Sequence, residues 1–327
     1  IRPSIPVLMK DNLIRKSVLL IVGPTGSGKS AIGILTAQKL GGEIISADAR
    51  QIYKYLDIGT AKPSKNEMCT IRHHFIDLLY PDENYNAGLF GKEGREVIDD
   101  IWNRGKIPIV VGGSGLYIQS LIDGFFECPP ADDNIREILD QRMQKEGPEV
   151  LLKELKRFDP VSASKMLPSN TRRIIRAMEV YLLTGIPISE LQKRSSPRSF
   201  DSVLVGLSWD RKVLYDRINK RVDEMIEKGL LEEVRNILSK GYTPDLNSLQ
   251  TVGYAEVFRY FNGELEYKDM INLIKRNSRR YAKRQITWVR RDKRILWYTI
   301  NNECEFSSIA QQIADYFKLK TRAKGYF

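Results

Sequence analysis

The chain has 327 residues, 42% hydrophobic and 28% charged, which supplies one large core or two smaller ones and excludes both disorder and a disulfide-stapled miniature scaffold. Lysine and arginine total 52 against 41 acidic residues, a formal charge of +11 that suits a polyanionic partner. Nearly all of that excess lies late, since residues 268–327 hold 15 basic and 5 acidic side chains.

The first predicted element is a strand at 17–22, a continuous β-rich run that enters a glycine-rich turn. A helix over 31–40 follows, stopped by Gly41-Gly42, and a second strand is predicted at 43–48. A helix at 90–104 leads into a third strand at 107–111. Strands alternating with helices predict an α/β fold, a P-loop NTPase-like parallel sheet with helices on its faces. From about Asp123 the pattern becomes helical, at 135–145, 149–158, 171–183 and 188–193, punctuated by Pro148, Pro160, Pro168 and Pro187. The organisation expected is a core over 1–123, an all-helical insertion over 124–199 that leaves through the polar linker 193–199, and a return to the core over 200–327. That return opens with a strand at 202–208, continues with helices at 211–228, 230–240 and 268–290, and ends with a strand at 295–300.

The longest apolar runs are far too short to span a bilayer, and residues 1–16 carry charges throughout, unlike a signal peptide. Cys69, Cys128 and Cys304 lie far apart with no CxxC pair, which fits a reducing compartment and excludes a zinc finger of the usual spacing. A cytoplasmic protein without a membrane partner is expected. His73 and His74 have no carboxylate or cysteine set at ligand spacing and are expected to be structural, near a strand entrance.

Gly23-Pro-Thr-Gly-Ser-Gly-Lys-Ser30 fits GxxxxGK[ST] directly between a strand and a helix, the context that gives the pattern meaning. Its glycines let backbone N–H groups turn around an anion, Lys29 adds a full charge, and Ser30 offers a hydroxyl to Mg²⁺. A bound di- or triphosphate follows. A phosphoryl-transfer enzyme would end a later strand in a carboxylate, whereas here 109–111 run into Gly112-Gly113-Ser114-Gly115. Asp48 is the carboxylate best placed to face the anion site, with a turn or helix cap as the competing role.

These motifs, with Ser46-Ala-Asp-Ala-Arg-Gln-Ile-Tyr53, Asp57-Ile-Gly-Thr-Ala-Lys-Pro63, His73-His-Phe-Ile-Asp77, Gly112-Gly-Ser-Gly-Leu-Tyr117, Asn170-Thr-Arg-Arg-Ile-Ile-Arg-Ala-Met-Glu-Val180, Val252-Gly-Tyr254 and Arg280-Tyr-Ala-Lys-Arg-Gln285, resemble in order and spacing the bacterial tRNA dimethylallyltransferases. The resemblance implies transfer of a dimethylallyl group from its diphosphate to N6 of the adenosine 3′ of the anticodon, with Mg²⁺ as cofactor; a monomer is expected. The loop Gly23, Pro24, Thr25, Gly26, Ser27, Gly28, Lys29 and Ser30 would then hold the diphosphate leaving group, joined by Arg136. Asp48 matches the family's general base, and a carboxylate with an ordinary pKa near 3.9 can take the proton that N6 loses. Thr25 matches a threonine near the reacting centre, and Lys29 completes the catalytic set.

A base in a stacked loop must be extruded to reach a buried diphosphate. Asp48, Ala49, Arg50 and Gln51 are the expected readers of its edge, with Ser114 where the family usually has threonine. Arg172, Arg173 and Arg176, on a helix whose apolar stripe is Ile174, Met178, Tyr181 and Leu182, match tRNA-gripping positions. So do Gln250, Gly253 and Tyr254. Residues 275–294 carry ten basic side chains against Asp292 alone. On a helix, Ile271, Ile274, Tyr281 and Trp288 would face inward, while Arg276, Arg279, Arg280, Lys283 and Arg284 fan outward, with Gln285 at the end of the matched tRNA segment. The alternatives are an adenylate isopentenyltransferase, which should not need the arginine-rich helix, a small-molecule P-loop kinase, and a non-catalytic RNA-binding module, which gives Lys29 and Asp48 no purpose.

Overall fold

A computed structural model describes residues 16–124, 129, 131–194 and 200–322. Cys128 and part of the expected linker, 195–199, lie outside the described residues. The chain divides into two compact units, one of residues 1–86, 93–118 and 199–327 and one of 87–92 and 119–198. The second unit therefore starts a few residues before 124 and also takes in the beginning of a core helix.

The first unit is built on a six-stranded, all-parallel sheet in the order β3-β2-β4-β1-β5-β6. In chain order, β1 (Ser17–Val22) leads through the glycine loop to α1 (Lys29–Leu40), and β2 (Gly42–Ala47) is followed by α2 (Lys65–Thr70) and the two-residue β3 (His73–His74). Then come α3 (Ala87–Asn103), β4 (Ile107–Gly112) and α4 (Gly115–Asp123). The expected P-loop-type α/β sheet is what the chain forms. Every residue of β1 is buried, as a parallel strand covered on both faces requires, and Leu20 lies in register with Val110 on one side and Leu204 on the other.

The second unit holds α5 (Asp133–Glu146), α6 (Pro148–Phe158), α7 (Pro160–Ala163), α8 (Thr171–Thr184) and α9 (Ile188–Leu191), packed around Leu139, Leu151, Leu155, Ile174, Ile175 and Met178. Prolines at the first turns of α6 and α7 start helices rather than only ending them, because their missing N–H has no intrahelical partner there anyway. The apolar face of α8 includes Ile175 and Ala177, whereas Leu182 points to solvent, a correction to the predicted stripe. Buried Asp159 joins α7 to α9 by accepting the Ser162 and Ser189 amides at 2.9 and 3.0 Å.

The first unit resumes with β5 (Asp201–Trp209), α10 (Arg211–Glu227), α11 (Leu230–Ser239), α12 (Tyr254–Phe261), α13 (Tyr267–Val289), β6 (Leu296–Ile300) and α14 (Phe306–Arg322). The sequence reading ends at 300 and lacks α14. Its buried Ile309, Ile313 and Phe317 pack with Ile32 and Ala37 of α1 against Leu19, Ile21, Ile109 and Val205 of the sheet. No described helix is long and apolar enough to cross a membrane.

Candidate active site

The sheet's carboxyl edge gathers the phosphate loop after β1, Asp48 after β2, Gly113 and Ser114 after β4, and one face each of α10 and α13. Gly28 closes the loop with φ +81°, a left-handed conformation in which a side chain would be strained, and an added Cβ would meet the Phe306 ring at 2.3 Å. The loop's carbonyls are tied from outside. The Arg217 Nε donates to the Gly26 oxygen at 2.9 Å and the Trp209 indole to the Ser27 oxygen at 3.0 Å, with the Arg217 guanidinium lying 4.2 Å over the Trp209 ring.

Of the loop amides, Thr25 donates to the Gln285 Oε1 at 2.8 Å and Ser27 to the Pro24 oxygen at 3.2 Å. Those of Gly26, Gly28, Lys29 and Ser30 meet no acceptor among the described residues, so the anion cradle is narrower than the whole loop. The Ser27 hydroxyl is buried and also without a partner. Gln285, expected on the tRNA surface, is instead buried. Its Oε1 holds Thr25, and its Nε2 donates to the Gly113 oxygen at 3.1 Å, sewing the β1 loop to the β4 loop. An added Cβ at Gly113 would come within 2.3 Å of that nitrogen, so only glycine admits the clamp.

The charges converge on this mouth. Burial lowers the Lys29 ammonium to about 8, opposed by Asp48 and reinforced by Arg221. Burial likewise lowers the Arg221 guanidinium, again with Asp48 opposing. Tyr281 is pushed up to about 12, first by burial and then by the Asp48 charge. Lys29, Arg221 and Tyr281 thus all register Asp48, a half-buried carboxylate whose Oδ1 accepts the Arg50 amide at 2.9 Å. Ser114 accepts the Ala49 amide at 3.0 Å, donates its own amide to the Ala47 oxygen and meets the Tyr281 phenol, so it links the ends of β2 and β4 to the body of α13.

Other expected contacts have structural roles. Gln51 is buried, taking the Ser46 hydroxyl at 3.0 Å and donating to the Thr60 and Ala61 oxygens. The loop it anchors is capped by Glu233, which accepts the amides of Asp57, Ile58 and Gly59 and the buried Tyr254 hydroxyl at 2.6 Å. Gly253 donates to Glu256, and exposed Gln250 donates to the Pro244 oxygen.

On α13, Arg276, Arg280, Lys283 and Arg284 are exposed as predicted, but Arg279 is half-buried against the Asn219 side chain. In the helical unit Arg172 and Arg173 are exposed, while Arg136 and Arg176 both pair with Glu179, the former at 2.8 Å. Burial alone would raise the Glu179 pKa, but Arg176, the Asp132 amide and Arg136 together hold it below the usual range. Arg217 and Arg221 escaped the sequence reading. Their signal was a pair of arginines four apart beside the buried Leu214-Ile218-Val222 row of α10, where a merely solvated charge has no reason to be.

A family model described as IPP transferase matches residues 51–292. The tRNA dimethylallyltransferase of Pelotomaculum thermopropionicum is 48% identical over 302 residues, covering 92% of this chain and 96% of the relative. That of Thermotoga maritima is 46% identical, covering 88% and 93%. Among solved structures, the full-length tRNA isopentenylpyrophosphate transferase of Bacillus halodurans aligns with TM-score 0.71 and 37% identity, covering 95% of this chain and 98% of that one. A eukaryotic dimethylallyltransferase described as acting on tRNA gives TM-score 0.78 and 31% identity, covering 91% and 77%. With most of its length matched at this identity, and with a phosphate loop that faces Asp48 rather than a carboxylate on β4, the chain belongs to the IPP transferase family.

Proposed function

We propose that the chain transfers a dimethylallyl group from dimethylallyl diphosphate to N6 of the adenosine 3′ of the anticodon in tRNA, releasing diphosphate. The observation that carries this reading is the meeting of Lys29, Arg221 and Asp48 at a phosphate loop whose neighbouring strand β4 ends in Gly112. As the allylic C–O bond breaks, negative charge grows on the diphosphate, where Lys29, Arg221 and the four open loop amides stabilise it. The N6 nitrogen forms the new C–N bond and its proton passes to Asp48. Arg217 and Gln285 hold the loop in shape, through the Gly26 carbonyl and the Thr25 amide. Arg136, Arg172 and Arg173 belong to the helical unit and serve tRNA and diphosphate by family likeness.

An ion held by the Ser30 hydroxyl would complete its shell with diphosphate oxygens and water, as Mg²⁺ does beside substrate phosphates. When bound it would supply further neutralisation of the leaving group. The chain is expected to work as a cytoplasmic monomer.

The test offers labelled dimethylallyl diphosphate with Mg²⁺ to unmodified tRNA carrying A-A-A in its anticodon loop and, in parallel, to AMP, ADP and ATP. Label in tRNA alone is expected. Label in free nucleotide would make this an adenylate isopentenyltransferase, and label in neither would overturn prenyl transfer.

A further inference from the structure

Two motifs of the sequence, Asp57-Ile-Gly-Thr-Ala-Lys-Pro63 and Val252-Gly-Tyr254, take no part in the chemistry above, yet the structure joins them. The joint is Glu233, in the first turn of α11. Its Oε2 accepts the amides of Asp57 and Ile58 at 3.0 and 2.7 Å, and its Oε1 accepts the Gly59 amide at 3.1 Å and the Tyr254 hydroxyl at 2.6 Å. Hydrogen bonds to an ionised carboxylate are roughly twice as strong as neutral ones, so this set pins the loop to α11 and α12. Gly59 packs against the Tyr254 ring, where an added Cβ would come within 2.4 Å.

From the pinned loop two ties run back to the turn that carries Asp48. The Thr60 and Ala61 oxygens accept the Gln51 Nε2 at 3.3 and 3.2 Å, while the Gln51 Oε1 accepts the Ser46 hydroxyl at the end of β2. Lys62, with its side chain 3% exposed, donates to the Tyr53 oxygen at 2.9 Å and pairs with Asp57 and Asp77. Tyr53 in turn donates its amide to the Arg50 oxygen at 3.2 Å, and the Arg50 amide reaches the Asp48 carboxylate. The loop is held in a conformation it would not keep alone. Tyr55, Ala61, Phe75 and Asp77 take φ of +70°, +46°, +63° and +55°, and among the described residues no other non-glycine has a positive φ. Side chains disfavour this left-handed region, which persists only where the surrounding contacts over-determine it. Glu233, Gln51 and Lys62 supply those contacts.

We propose that Glu233 is a positioning residue for the general base. Through the 57–62 loop, Gln51 and Lys62 it fixes the turn 48–51, and so sets where the Asp48 carboxylate meets N6. The inference rests on the tRNA-prenylation reading above and deepens it. The phosphate loop is braced in the same manner, by Arg217 of α10 and Gln285 of α13. Leaving group and proton acceptor thus each sit on a loop that is held by helices outside it. A proton acceptor must lie within hydrogen-bond reach of its proton, and an error of about 1 Å can cost about 10²-fold.

The test crosses Glu233→Gln with Asp48→Asn in the full chain and reads single-turnover prenylation at saturating tRNA and dimethylallyl diphosphate. Glu233→Gln keeps the size but sets an amide N–H against the loop's own N–H groups, and should slow the step by about ten- to a hundredfold. The Kd for inorganic diphosphate, which the other loop holds, should stay within about twofold. In the Asp48→Asn background the same change should cost less than about threefold, because a displaced carboxylate matters only while it can take the proton. Where Glu233→Gln fails to fold, Tyr254→Phe decides instead. It removes one hydrogen bond and no ring, and should cost about three- to tenfold beside Asp48 and less than about twofold beside Asn at that position. Losses that multiply in full across the two backgrounds would overturn the positioning role, as would a natively melting variant that keeps the wild-type rate. Either result leaves the prenylation reading intact. Wild-type chain that prenylates no tRNA would overturn that reading and this inference with it.

Discussion

Strand β2 carries a carboxylate at its start, Glu43, and another just past its end, Asp48, and the sheet treats them in opposite ways. Glu43 is buried at the amino edge among opposite charges, with the Arg104 guanidinium on both its oxygens, the His74 Nε2 at 2.7 Å, and Asp100 2.8 Å from the same arginine. Those hydrogen bonds, Arg104 first, hold its pKa at about 2. Asp48 at the carboxyl edge accepts a hydrogen bond from its own loop and faces Lys29 and Arg221, whose charges burial disfavours. One end of the strand is neutralised and the other is left with unmatched charge. Paired charges at the amino edge hold strands together, whereas the charges that burial opposes lie at the carboxyl edge, where open parallel sheets place their ligand sites.

The sharpest way to break this comparison is to remove the second carboxylate. Asp48→Asn keeps the shape and the acceptor for the Arg50 amide but cannot take a proton, so turnover should fall by about 10²- to 10⁴-fold. Diphosphate and tRNA binding should survive, as equilibrium measurements on the same preparation would show. Turnover within about threefold of wild type would return Asp48 to the role of a turn-capping residue.

A smaller effect is expected one layer out, at the clamp that shapes the same edge. Gln285→Leu has nearly the same size yet loses the bonds to Thr25 and Gly113, freeing the phosphate loop to drift. A misplacement of about 1 Å can cost about 10²-fold, so kcat should drop by about ten- to a hundredfold. The fall should be seen at saturating tRNA, because the residue is buried away from the RNA surface. A pure rise in KM for tRNA with kcat unchanged would instead support the surface role that the family motif suggests for this position.

That misplacement of Gln285 marks the limit of what the sequence reveals. The phosphate loop, the missing β4 carboxylate and Asp48 were legible because each is fixed by its neighbours in the chain: a strand before, a helix after, glycines between. The helical insertion was legible through periodicity and prolines. Contacts closed over long separations were not. Gln285 lies 260 residues from Thr25, and Glu233 lies 174 or more from the three amides it caps. In sequence, a buried glutamine on a helix full of arginines looks like one more polar residue of the RNA face, and only the helix's rotation against α10 turns it inward. Arg279 was misread for the same reason. Helix α14 differs: Ile309, Ile313 and Phe317 recur at helical spacing, a signal that the sequence does carry beside the stronger charge pattern before it.

At the amino edge the expected effect is on stability alone. Glu43→Gln leaves Arg104 and His74 without the carboxylate that unites them, and should lower unfolding free energy by about 2 kcal/mol, the scale of a hydrogen bond to a charged group. The sign with pH follows from the direction of the shift. A carboxylate held at about 2 in the folded chain against an ordinary 4.5 contributes fully above pH 4.5, and the contribution fades as pH falls toward 2. Denaturant melts of wild type and variant should therefore differ most above pH 4.5 and converge on acidification, while kcat at neutral pH stays the same in both. A gap that persists unchanged at low pH would mean that the amide disturbs packing rather than charge. A loss of turnover would mean that the two ends of β2 are coupled, and that the amino edge helps to hold the Asp48 end in place.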